Sequence, residues 1–150
     1  MARTRMLIVL VAVALATAGV GVASAADHAD RYMMRTVNEV RAQSGLQRLH
    51  VSHDLNHSAA QYARYLMRHQ YFGHDSYIHA SSRWRRLGEI LEIQTGLKPH
   101  VRRAFDTWMG SSEHRSIILD PGFTSMGAGR ASGWFQGRKM VIWVMHFGHH

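Results

Sequence analysis

Apolar positions recur at helical spacing over residues 28–44, where Met33, Val37 and Val40 fall on one side and Gly45 follows as a natural stop. A short connector covers residues 46–51. Ser52 then stands where a helix cap is expected, with Asp54 in the first turn. Leu55, Ala59, Tyr62, Ala63 and Leu66 form the buried stripe of a second helix running to about Gln70. Residues 71–82 are rich in Gly, His, Ser and Asp and read as a loop. From 87 to 93 the period changes to two, so that Leu87, Glu89, Leu91 and Ile93 share one face of a strand. Gly96 and Pro99 mark another loop. A third helix is predicted over 100–110, with a bent continuation to Leu119, and Asp120-Pro121-Gly122 ends it. The C-terminal part reads as a hairpin, with strands at 126–131 and 140–147 and a polar, Gly-rich turn at 132–138. The last strand is apolar on both faces and should be central, covered on both sides. Helices flanking such a sheet make an α+β domain, a three-layer α-β-α sandwich with a central antiparallel sheet.

The N-terminus has a different pattern. Arg3 and Arg5 precede an uncharged run of Leu, Ile, Val, Ala and Gly over residues 6–22, and Ala23-Ser24-Ala25 supplies a small-x-small site. Residues 1–26 therefore read as a cleavable secretion signal, with a retained membrane anchor as the alternative. Residues 27–150 are expected to form one domain, secreted and not integral to a membrane after cleavage.

Composition narrows the chemistry. With no cysteine, disulfides, cysteine zinc sites and thiol catalysis are excluded. The 18 Lys and Arg against 10 Asp and Glu give a net charge of +8. Loss of Arg3 and Arg5 with the signal would leave +6. For an exported chain, such charge points to anionic cell-wall or surface polymers rather than nucleic acid. Arg83, Arg85 and Arg86 around Trp84 are the candidate contacts.

Four residues could carry chemistry. His74 lies in the loop after the second helix. Glu89 sits on an apolar strand face, where a carboxylate is costly unless it is paired or lines a cavity. Ser111 and His114 follow Trp108 at intervals of three, which on a continuous helix puts all three on one face. Neither a HExxH metal motif nor a G-x-S-x-G elbow occurs.

In order along the chain, these pieces resemble the CAP superfamily of cysteine-rich secretory proteins, antigen 5 and plant pathogenesis-related proteins, and within it the bacterial secreted branch. The resemblance is carried by Val37-Asn38-Glu39-Val40-Arg41 with Gly45-Leu46-Gln47-Arg48-Leu49, by Leu55 to Ala63, and by Phe72-Gly73-His74. Gly88-Glu89, Trp108-x-x-Ser111-x-x-His114-Arg115 with Ile118-Leu119, Gly127-Ala128-Gly129 and Phe147-Gly148 complete it. It implies a central cavity containing His74, Glu89 and His114. Ser111 stands where relatives have a second acid, and Ile90 where they have Asn. It also implies His74 and His114 as ligands for Zn²⁺ or another divalent metal, with Glu89 as general base. A rival chemistry makes Ser111 a nucleophile with His114 as its base. Three functions follow as expectations: a cavity binding a metal or small molecule at or beyond the cell wall, a metal-assisted hydrolase or peptidase, and a lipid or sterol carrier.

Overall fold

The computed structural model describes residues 25–150; the expected signal sequence, but for its last two residues, lies outside them. In chain order the elements are α1 (Ala25–Gln43), β1 (His50–Val51), α2 (His53–His69), β2 (Arg86–Thr95), α3 (Val101–Gly110), α4 (Ser112–Ile118), β3 (Ser125–Phe135) and β4 (Arg138–His149). They form three layers. The sheet has the order β1-β3-β4-β2, with α2 on one face and α1, α3 and α4 on the other. The three long strands are antiparallel, and the two-residue β1 adds a parallel edge that the apolar pattern is too short to announce. Among the described residues no helix is long and apolar enough to cross a membrane.

Alternation along β4 divides the core. Val141, Trp143, Met145 and Phe147 pack with Met33, Val37 and Trp108 on the three-helix side. Ile142 and Val144 pack with Ala59, Tyr62, Ala63 and Leu66 of α2 on the other. Both faces are thus covered, as the apolar run of the strand, broken only by His146, requires.

The hairpin turn is tighter than its composition suggests. Strand pairing continues through Gly133 to Phe135↔Arg138, and only Gln136 and Gly137 turn, both at positive φ (47° and 80°). Two successive left-handed residues match the twist of the flanking strands, so residues 132–135, expected in the turn, are strand.

The expected bent helix is two helices. Ser111 has extended backbone (φ −93°, ψ 126°), and its Oγ accepts from the His114 N–H at 3.5 Å as the N-cap of α4. A serine that competes for backbone donors ends one helix and starts the next. Trp108, Ser111 and His114 therefore do not share a helix face. Trp108 is fully buried and its Nε1 donates to the Leu91 carbonyl at 2.8 Å, fixing α3 to β2. Gln94 of β2 holds the start of α3, donating to the His100 carbonyl and accepting from the His100 N–H. Arg41, also buried, donates to the carbonyls of Gln47, Ile118 and Asp120, joining the end of α1 to the end of α4.

Candidate functional site

The site begins with a row across the sheet. Gly127 of β3, His146 of β4 and Glu89 of β2 are direct neighbours in register, all facing α2. A Cβ on Gly127 would lie 2.2 Å from the Asn56 nitrogen. The missing side chain lets the first turns of α2 settle onto the sheet, and this brings the short Ser58 side chain to His146. Ser58 Oγ lies 2.7 Å from His146 Nδ1. His146 Nε2 lies 2.8 Å from Glu89 Oε2, and His74 Nδ1 lies 2.7 Å from Glu89 Oε1.

Donor roles follow from the acceptor. As a carboxylate Glu89 only accepts, so His146 donates through Nε2–H and His74 through Nδ1–H. His146 Nδ1 is then a lone pair, and the Ser58 hydroxyl donates to it. The carboxylate that looked costly on its strand face is thus paired on both oxygens. The side chains of His146 and Glu89 are 1% and 7% exposed, whereas that of His74 is 56% exposed.

Over this chain lies a cavity of about 550 Å³. Ser58, Tyr62, Glu89 and His146 line its inner end. Arg64, Tyr65 and Arg68 of α2 form one wall, and Asp75, Tyr77, Ile78 and His79 of the following loop form the other. The loop is held at two points. Tyr62 donates to the Gly73 carbonyl at 2.7 Å, and Asp54 accepts from Ser81 and from Trp84 Nε1. Burial and the nearby Glu89 charge push the Tyr62 phenol well above its ordinary range, so it stays a donor. Asp54 is held below the usual carboxylate range because the bonds from Trp84 and Ser81 together outweigh its partial burial, the largest single influence.

The four residues expected in one cavity are only partly assembled. Glu89 lines it, and His74 holds Glu89 from the exposed side. His114 belongs to α4, in the layer opposite α2. Its Nδ1 is buried, and no described residue bonds it. Burial, and then positive charge on His74, lower its pKa, so the two rings are within electrostatic reach. Ser111 is spent on the helix cap. No three His, Asp or Glu side chains among the described residues stand together to hold a metal ion. With both Glu89 oxygens engaged, the donor set does not fit a zinc ion with three protein ligands. The expected basic patch is also partly consumed. Arg86 pairs with Asp120 at 2.5 Å, and Arg83 lies over the Trp84 ring.

Sequence reasoning missed Ser58 and His146. Ser58 hides in the apolar stripe of α2 and His146 in the apolar run of β4. The available signal was a polar residue in each place where periodicity demands an apolar one.

A family model described as the cysteine-rich secretory protein (CAP) family matches residues 34–147. The chain belongs to the CAP family. Its fold agrees with CAP-type solved structures. An outer surface protein of Borrelia burgdorferi superposes with a TM-score of 0.70 at 18% identity, over 82% of this chain and 93% of that one. An extracellular SCP-domain protein of Bacillus anthracis gives 0.65 at 19%, over 83% of this chain and 41% of the other. A venom allergen-like protein of Schistosoma mansoni gives 0.59 at 13%, over 85% and 91%. No curated protein sequence matches. Although the family is named for its cysteines, this member has none, and the apolar clusters on the two sides of the sheet supply the core.

Proposed function

We propose that this CAP domain, freed of residues 1–26, acts outside the cytoplasm as a binding module whose cavity above Glu89 takes a small anionic ligand. The cavity of about 550 Å³ carries the reading. Its size suits a small molecule. Arg64 and Arg68 bring positive charge to one wall, and Tyr65 and Tyr77, both exposed, offer flat apolar surface on either side. Glu89 lies at the inner end with both oxygens held by imidazole donors. The N-terminal pattern supports export, and so does the extracellular or outer-surface description of the two bacterial proteins of like fold.

Isothermal titration with muramyl dipeptide and with inorganic phosphate tests the site. Saturable binding, weakened at least about tenfold in Arg64→Ala/Arg68→Ala, is the expected result. Absence of binding to both overturns it. Lipid recovered from the purified protein by extraction would put a lipid carrier in its place, and zinc stabilisation lost in His74→Ala/His114→Ala would put a metal site there. Finding the protein only in the cytoplasm, with residues 1–26 attached, would overturn the export half.

A further inference from the structure

Ser58, His146 and Glu89 have the order nucleophile, base, orienting acid. We propose that they form a serine-hydrolase triad acting on short anionic esters, a reading that rests on the cavity proposed above. Three observations carry it. The hydroxyl-to-imidazole and imidazole-to-carboxylate distances, 2.7 Å and 2.8 Å, are both of hydrogen-bond length. All three side chains line the one cavity. His74 holds the second oxygen of Glu89, which fixes the carboxylate and, through it, the imidazole.

A purely structural trio is an expensive way to fill this place. The next residues along that face of β2 and β4, Leu91, Ile142 and Val144, are buried hydrophobics, and apolar residues would continue the packing without desolvating an acid. Ser58 could have bonded only its own helix, where the Leu55 carbonyl lies 3.2 Å away. Its shorter contact is to His146, and the tautomer set by Glu89 directs its proton there. The imidazole uses Nδ1 toward the serine and Nε2 toward the acid. The chemistry requires only a basic nitrogen on the hydroxyl, with the other nitrogen's proton held by the acid.

The reaction balances without a cofactor. Ser58 Oγ attacks the ester carbonyl carbon as its proton passes to His146 Nδ1. The tetrahedral adduct expels the alcohol oxygen, which takes that proton from His146. Water then attacks the acyl-serine and gives its proton to Nδ1. Collapse releases the carboxylic acid, and the proton returns to Ser58 Oγ. Glu89 stays ionised and steadies the imidazolium. Arg64 and Arg68 hold the substrate's negative group. Because Ser58 is only 3% exposed, the acyl chain must be short.

The test uses a small fluorophosphonate probe and the 4-nitrophenyl monoester of succinic acid. Peptide mapping of labelled wild-type protein should place the phosphonyl group on Ser58. Ester turnover should fall to background in Ser58→Ala, and kcat should fall about a hundredfold or more in Glu89→Gln. Label elsewhere, or none, overturns the triad, and so does turnover surviving in Ser58→Ala. Mapping needs no variant, so it decides the matter even where a substitution unfolds the chain. If wild-type and Ser58→Ala protein both bind muramyl dipeptide but the probe leaves Ser58 unlabelled, the triad fails and the binding site stands.

Discussion

Replacing Glu92 by Gln should leave stability unchanged at pH 4.5 and below and stabilise the protein increasingly as pH rises from there to about 7. Glu92 lies on β2 beside Trp143 of β4, facing the three-helix layer. It is 7% exposed, and no described residue bonds its Oε2. Burial raises its pKa from 4.5 to about 7, and the Arg103 charge offsets this only in part. The folded protein therefore retains a proton that the unfolded chain releases above pH 4.5. This contribution to stability is complete below pH 4.5 and lost as pH rises through about 7. At about 1.4 kcal/mol per pH unit, the shift from 4.5 to about 7 is worth about 3.5 kcal/mol as an upper bound. Gln has nearly the same shape and no charge, so it removes the loss. Urea unfolding followed by tryptophan fluorescence at pH 4.5, 6 and 8 measures the difference between variant and wild type. That difference should grow from near zero to about 2–3 kcal/mol. Taking the difference cancels His114, whose trend is opposite. A constant difference across the three pH values would show that Glu92 is not held protonated by the fold.

Other substitutions probe the site and its supports. His114 should titrate below its ordinary 6.5 in NMR, so its stabilising contribution is present above 6.5 and lost as pH falls; His74→Ala should move the titration part of the way back up, since burial remains the larger cause. Gly129→Ala should destabilise by about 3 kcal/mol or more in urea, because the new Cβ would meet the Ala60 backbone nitrogen at 2.2 Å. Ser111→Ala should cost about 1 kcal/mol of stability in the same assay, as loss of a helix cap does, and leave fluorophosphonate labelling at the wild-type rate; a lost label would restore Ser111 as the nucleophile.

Much of the framework is legible in local pattern. The α2 stripe of Leu55, Ala59, Tyr62, Ala63 and Leu66 is buried as its spacing requires. Glu89 shares a face with Leu91, and the doubly apolar final strand is covered on both sides. Gly127-Ala128-Gly129 was visible as a motif. Its reason is three-dimensional, because the helix backbone occupies the space where side chains would be. The end of the third helix at Gly110 is legible, but the i, i+3 spacing of Trp108, Ser111 and His114 describes one continuous helix face equally well, and only the capping bond shows that the face is broken.

Periodicity and turn chemistry are local, so the sequence by itself determined the helices, the long strands, the inward face of each and the family to which they add up. The functional centre depends on register and on how closely α2 approaches the sheet, and neither is a local quantity. Ser58 and His146 are 88 positions apart, and Glu89 and His146 are 57 apart. A one-residue slip of β2 against β4 would turn Glu89 away from α2. Only the tertiary structure decided that a serine in an apolar stripe, a histidine in an apolar strand and an acid on the neighbouring strand form one hydrogen-bonded chain beneath a cavity.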